Sequence, residues 1–470
     1  MLPRLLAPFL ATAAFAQSPP PGFTYQLITD NQIQVGSSMA FAPDGRLFVC
    51  ERASGRIRVL RDAVLQPTPW ATVPVLTTAS GEQGLLGIAF DPDFLRNGFV
   101  YVFHTQIGGA QNRIARLQEV QGVGINYTVL TPDMAIPATT LHNGGRLVVG
   151  QDGHLYAGTG ERTVVALAQS LTSWNGKILR FTLPNCAIPT DNPFPGSPIW
   201  SYGHRNHFGL TVHPVTGDLF ETENGNLLYD ELNRIVRGGN YGWPLVEGPE
   251  SPPNPGFVDP VAVYPTPTPD PTGTCFYTGT NYPAEYRNTL FFVDFMYGRV
   301  RRATLDAAGT TVTAQFLFDD LYRNFDIQMG PDGNLWVLHT DASDRGGDEI
   351  GRYVFAGESL PSANVIEVSN KSVGGSLTFG FRARNGRIVV PWISTTRLAT
   401  PLPTPFGEQL VPIDIVLPFL AVQADDRVYR GESLPNVATL IGTPVHVQAL
   451  AFDPATGTAR ASNAASITLH

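Results

Sequence analysis

Three polar stretches carry the residue types that chemistry requires: Leu141-His142-Asn143-Gly144-Gly145-Arg146, Trp200-Ser201-Tyr202-Gly203-His204-Arg205-Asn206, and the run from Glu221 to Pro244, ETENGNLLYDELNRIVRGGNYGWP. Histidine titrates near neutral pH, so a neutral His142 can take a proton from a hydroxyl. Arg205 is a fixed cation of the kind that stabilises negative charge as it develops. Glu223, Asp230 and Glu231, with Asn224, Gly225 and Asn226 among them, supply hard oxygen ligands that suit calcium, although their spacing is not that of an EF-hand. Read alone, a histidine in a turn is more often structural than catalytic. By the same reasoning Arg205 can simply bridge two elements, and the acidic run can be a solvated loop.

The elements that must position these residues are strands. A turn-then-strand phrase recurs as Ala42-Pro43-Asp44-Gly45-Arg46-Leu47-Phe48-Val49, as Gly150-Gln151-Asp152-Gly153-His154-Leu155-Tyr156, and as Gly330-Pro331-Asp332-Gly333-Asn334-Leu335-Trp336-Val337. Looser copies lead from Asp91-Pro92-Asp93 to Phe99-Val100-Tyr101-Val102 and from His213-Pro214 to Asp218-Leu219-Phe220; a sixth strand of this character is Leu290-Phe291-Phe292-Val293. Asp-Gly supplies the positive φ of a tight hairpin, and the apolar run after it reads as a strand. Recurrence at this spacing is that of four-stranded propeller blades. The expectation is an all-β chain in which residues 17–356 form a six-bladed β-propeller.

Helical periodicity is confined to short pieces such as Ala166 to Ser173. The stretch Trp243 to Thr274 holds ten prolines and reads as a long surface loop. Beyond Phe355 the phrase stops, and short alternating runs between 361 and 470 predict a small β-sandwich without recognisable chemistry.

The chain has 470 residues, 43% hydrophobic and only 15% charged, with 47 Gly and 40 Pro. That composition favours many strands and turns and excludes a disordered chain. A net charge of −9, with Lys177 and Lys371 the only lysines and no basic run, argues against nucleic acid and for a small neutral or cationic ligand. Residues 1–16, MLPRLLAPFLATAAFA, read as an export signal ending in a small-x-small cleavage site. No later segment is apolar over the ~20 residues a membrane span needs, so a secreted or periplasmic location is expected. Of the three cysteines, Cys50 sits in a strand-like run as a buried thiol. Cys186 and Cys275 form the only plausible pair, with three unlinked thiols the equal alternative.

The His142, His-Arg-Asn and Gly-Gly-Asn-Tyr-Gly-Trp-Pro stretches, with Gly84-Leu85-Leu86-Gly87-Ile88-Ala89-Phe90 and Gly176-Lys177-Ile178-Leu179-Arg180, resemble the glucose/sorbosone dehydrogenase family over about Gly36 to Val354. That resemblance implies a secreted six-bladed propeller that oxidises sugars with pyrroloquinoline quinone (PQQ) and calcium, and passes electrons to an external acceptor. It implies His142 as base, Arg205 as catalytic and cofactor-contacting cation, and Glu82, Asn206 and Arg323 as further cofactor contacts. It also implies calcium at the main-chain oxygens of Gly225 and Asn226, and a structural calcium near Glu231 and Tyr241.

The sequence departs from the family pattern in several places. Leu141 stands where the family has an Asp, Glu82 replaces a Gln, and Asn226 replaces a Pro. Met296 and Phe325 stand where a Lys and a second Arg are expected, and losing two cations costs on the order of a few kcal/mol against three cofactor carboxylates. Arg299, Arg301 and Arg302 are candidates to replace that charge. Two other functions therefore stay open: a propeller that binds without cofactor, as in hedgehog-interacting proteins, and a calcium-dependent lactonase-type hydrolase. Fold alone does not separate the three.

Overall fold

The computed structural model describes residues 19–355 except 21–22, 77–80, 109–110, 136–139, 266–268, 322 and 341–346, and beyond 355 the backbone of strands between Asn364 and Thr468. The export-signal reading of residues 1–16 lies outside the described residues.

Six antiparallel meanders of four strands, two of them with a short fifth strand alongside, make up the first part of the chain. Their first strands are Gly36–Phe41, Leu85–Phe90, Gly144–Val149, His207–Val212, Pro271–Phe276 and Asn324–Met329. Each of these packs against the next, and the last packs against the first, so they line a closed ring. The fourth strand of blade 6 comes from the other end of the chain. Phe23–Ile33 pairs antiparallel with Asp348–Phe355, with Thr24 opposite Val354, and this pairing closes the propeller. Closing the ring removes the exposed strand edges that an open stack would leave.

Every copy of the recurring phrase is the same hairpin, the one joining first to second strand. Asp152 accepts from His154 N at 3.1 Å and from the Tyr156 hydroxyl at 2.9 Å, while Asp332 accepts from Asn334 N at 3.3 Å and Trp336 Nε1 at 2.9 Å. The aspartate thus closes an Asx turn and ties it to the strand that follows. Those second strands are buried on both faces, as in Leu47–Glu51 and Leu290–Asp294. A strand sandwiched between two neighbouring blades has no solvent side, which is why the sequence shows continuous apolar runs there.

A separate apolar core fills each of the six blade interfaces. Phe48, Trp70 and Val102 lie between blades 1 and 2, Tyr101, Leu155 and Phe181 between 2 and 3, and Tyr156, Ile178 and Leu210 between 3 and 4. Phe220, Phe276 and Phe292 follow, then Phe291, Phe318 and Tyr353, then Met39, Leu47 and Leu338. Among the described residues the helices are short: Phe94–Asn97, Ala166–Gln169 and the 3-10 turn Ala284–Tyr286.

One expectation needs correction, and one open alternative is decided. The proline-rich stretch is not one loop, because Ala262–Pro265 is the outer strand of blade 4 and Pro271–Phe276 the inner strand of blade 5. Proline is tolerated at both places, an outer strand's end and a strand's first residue, where no ladder donor is required. Cys186 and Cys275 do not pair; all three thiols are free and buried, with Cys186 in the core between blades 2 and 3 and Cys275 between blades 5 and 6.

After the propeller, Asn364–Ser369, Ser376–Arg382 and Arg427–Ser433 form one sheet, while Ile388–Ser394, Pro444–Asp453 and Thr458–Ala461 form the body of a second. The first sheet meets the second through Asn364–Ser369 against Pro444–Asp453, the two-sheet layout of a small sandwich.

Candidate active site

The ring fixes where the polar residues go. All six inner strands start at one mouth, and in all six the register against the second strand shifts within their first residues. A bulge at a rim re-aims side chains, and the candidate residues sit just ahead of these bulges. Glu82 precedes Leu85–Phe90, His142 precedes Gly144–Val149, Arg205 and Asn206 precede His207–Val212, and Arg323 precedes Asn324–Met329. Gly225 and Asn226 lie in the blade 4 connection between Leu219–Glu223 and Tyr229–Ile235, which returns to the same mouth.

His142 adopts a left-handed backbone, φ 54°, and its Nδ1 lies 2.6 Å from Glu161 Oε1. Glu161 is 1% exposed and His142 keeps a partly open side chain, so the carboxylate fixes one ring nitrogen and leaves the other toward the mouth. Glu161 was not foreseen from sequence. Gly160 makes the approach possible, since a Cβ there would fall 2.1 Å from the His142 carbonyl oxygen and 2.9 Å from Asn206 Oδ1.

Asn206 stitches three blades together. Its Oδ1 accepts from Gly144 N at 3.1 Å and its Nδ2 donates to Glu82 Oε2 at 3.2 Å, the same oxygen that Asn143 N reaches at 3.2 Å. Beneath them Arg162 is fully buried; burial pushes its guanidinium down to about 10 against the pull of Glu82 and Glu161.

Arg205 is held through its backbone. Its N donates to Glu223 Oε1, its carbonyl accepts from Glu161 N at 2.8 Å, and its Nη1 donates to Asn224 O at 2.9 Å. The guanidinium lies 5.5 Å from the Trp243 ring. Three buried atoms in this corner, Arg205 Nε, Asn224 Oδ1 and Trp243 Nε1, have no hydrogen-bond partner among the described residues. Buried polar atoms are rarely left so, and a cluster of them marks a place for a polar ligand.

Asn226 and the three residues after it donate their backbone N–H groups to the Glu247 carboxylate, which folds the Gly225 loop into one shape. Behind it, burial raises the Asp230 carboxyl to about 7, even though Gly225 N and Asp270 N donate to it. Burial and the nearby Glu223 charge raise Glu231 to about 8. Carboxyls held this high are under-neutralised, which fits them to a cation. Tyr241 sends its hydroxyl away, to Arg234 O at 2.6 Å, and stacks its ring on His204 at 4.4 Å. The buried His204 would be lowered by burial, but Glu221 and Glu223 outweigh that and hold it at about 9.

On the far side of the ring, Arg323 lies 5.5 Å from the Phe295 ring, beside exposed Met296 and half-buried Phe325. The three arginines named as substitute charges are otherwise engaged: Arg301 binds Asp294 at 3.0 Å, Arg299 faces Asp320 at 3.6 Å, and Arg302 lies between Tyr286 and Phe316. They do not replace the missing cations.

Fold and mouth together define a six-bladed propeller with an axial site built from a carboxylate-held histidine and an arginine, the kind of place where such folds bind small ligands. The chain belongs to the glucose/sorbosone dehydrogenase family, whose model matches residues 33–347. It is 28% identical over 326 residues to the aldose sugar dehydrogenase YliI of Escherichia coli, covering 65% of this chain and 87% of that one. It is 32% identical over 270 residues to quinoprotein glucose dehydrogenase B of Acinetobacter calcoaceticus, covering 51% of this chain and 56% of that one. Among solved structures, the PQQ-bound form of an aldose sugar dehydrogenase from Streptomyces coelicolor superposes with a TM-score of 0.62 at 32% identity, over 72% of this chain and 99% of that one. By this membership the chain is an oxidoreductase of the sugar-dehydrogenase type. Among the described residues no helix is long and apolar enough to cross a membrane.

Proposed function

We propose that the protein oxidises a carbinol of a sugar or related alcohol at the axial mouth, with PQQ as cofactor, calcium beside it, and an external electron acceptor. His142 is the base: its free nitrogen takes the hydroxyl proton, and Glu161 stabilises the imidazolium that results. When bound, PQQ supplies the hydride acceptor and calcium polarises it. Arg205 places a fixed positive charge where negative charge grows, and Trp243 and the peptide link to Glu223 keep it from swinging away. Glu82, Asn206 and Arg323 would contact the cofactor.

The cofactor fits this corner because Arg205 Nε, Asn224 Oδ1 and Trp243 Nε1 are buried without protein partners. That observation, made beside a histidine already oriented by Glu161, carries the reading. Main-chain oxygens of Gly225 and Asn226 would hold the calcium beside the cofactor. Glu231, with the main-chain oxygen of Tyr241, would hold a structural one. The export-signal reading of residues 1–16 supports a reaction outside the cytoplasm. The test is reconstitution of the apoprotein with calcium and PQQ, followed by aldose addition with a dye acceptor. Dye reduction that requires calcium, PQQ and sugar together is expected; turnover without quinone would overturn the proposal.

A further inference from the structure

Behind the mouth lies a cluster that the proposed chemistry draws on only through Glu223, which holds Arg205 N. His204 and His207 meet Glu221 and Glu223, all four buried, with one donor atom from each within 4.8 Å of every other. The blade 4 hairpin creates the group. Glu221 and Glu223 lie two apart on one strand and share a face, and His207 is the register partner of Glu223. The two imidazoles converge, with ring centroids 4.6 Å apart.

The separations suit an ion. His204 Nδ1 lies 2.9 Å from Glu221 Oε1 and 3.0 Å from Glu223 Oε2, and His207 Nδ1 abuts Glu221 Oε2. Four ligands bonded at about 2.0–2.2 Å around a tetrahedral ion stand roughly 3.4 Å apart; the two His204 contacts would open by about half an ångström, the tighter His207–Glu221 contact by about 1 Å, and the wider pairs of the group would close toward the same spacing. Hydrogen bonding accounts for only part of it. His204 Nδ1 bonds Glu223 Oε2 at 3.0 Å, but His207 Nδ1 and Glu221 Oε2 are pressed together without hydrogen-bond alignment, and His207 Nε2 is buried without a hydrogen bond.

Partners outside the group already aim the donors inward. Ser201 Oγ contacts His204 Nε2 at 2.8 Å, which turns Nδ1 toward the carboxylates, and Arg205 N takes Glu223 Oε1, which leaves Oε2 free. This is how outer contacts set metal ligands.

We propose that His204, His207, Glu221 and Glu223 bind one first-row divalent transition cation of the zinc type. Two nitrogen donors set the site apart from calcium, which takes oxygen ligands, and an N2O2 set is one that zinc accepts. An ion here would tie the segment carrying Arg205 to the second strand of blade 4. Its presence does not depend on the proposed reaction.

The experiment uses the tag-free full chain, expressed with zinc in the medium, gel-filtered and assayed for metals by mass spectrometry. About one zinc per chain, besides any calcium, is expected. Unfolding with a chelator and refolding with Co2+ should give the visible absorption bands of a four-coordinate site. His207→Ala and Glu221→Gln should lose the zinc and keep calcium. His154→Ala, altered at the opposite mouth, should keep both. Wild-type protein that carries calcium only, or takes up neither zinc nor cobalt by either route, overturns the proposal even if the variants fail to fold. Loss of zinc in His154→Ala would show surface binding and overturn it equally.

Discussion

Glu161→Gln is the most informative single substitution, because the carboxylate touches the reaction only through His142. The contact is 2.6 Å long, and Glu161 is buried, so solvent offers no replacement. A hydrogen bond to a charged group contributes about 1.5–3 kcal/mol. If that interaction strengthens as His142 takes the proton, its loss corresponds to about 10–150-fold in rate. Gln keeps the volume and an acceptor atom, so kcat should fall about tenfold, and Glu161→Ala should approach a hundredfold. The assay is steady-state dye reduction with calcium and PQQ saturating, together with a titration of cofactor binding. Binding should stay near wild type, since Glu161 is not asked to contact the cofactor. If both variants turn over within about twofold of wild type, the histidine is not the base or does not need orienting.

Gly160→Ala places a Cβ against the His142 carbonyl, and overpacking of this sort costs about 1–3 kcal/mol; a lowered melting temperature together with a kcat loss of about 100-fold is expected, because displacement of a catalytic group by about 1 Å has that effect. Glu231 titrates near 8 when folded, above its unfolded value, so the stability it lends is full at low pH and is lost as pH rises through 8. In calcium-free buffer Glu231→Gln should therefore gain on wild type between pH 5 and pH 8, by up to a few kcal/mol, and added calcium should reverse the order; a pH-independent difference in denaturant midpoint would contradict this. Truncation after Phe355 should leave the propeller's cooperative unfolding intact, because ring closure by Phe23–Ile33 uses only residues before that point; loss of the transition would make propeller and tail one unit.

The blades were legible because four of the six are announced by local turn chemistry: an aspartate that closes its own turn, as Asp44, Asp91, Asp152 and Asp332 do, needs no distant partner to be recognised. The inner strand of blade 5 was hidden because its prolines argue for a loop, and only its place at the start of the strand excuses Pro271. Glu161 was hidden by one residue of register. Counting outward from the Asp152-Gly153 turn, with Leu147 opposite Ala157, puts Arg162 across from His142. The bulge between Gly144 and Leu147 shifts the pairing so that Gly144 faces Thr159, and continuing outward puts Glu161 there instead. The His204 cluster was missed because its histidines fell inside a motif already explained by Arg205 and Asn206. The acidic residues that complete it read as a loop rather than as one strand face.

The central claim is that His142 and Arg205 divide the chemistry at one mouth, and single-turnover reduction of bound PQQ by an aldose tests it most directly. Wild-type protein loaded with calcium and PQQ should show the cofactor's absorbance change on mixing with sugar. His142→Ala should bind the cofactor nearly as tightly yet leave its spectrum unchanged on the assay timescale, whereas Arg205→Ala should lose both binding and reduction. Reduction at the wild-type rate in His142→Ala, or equal loss of binding in both variants, would contradict the account.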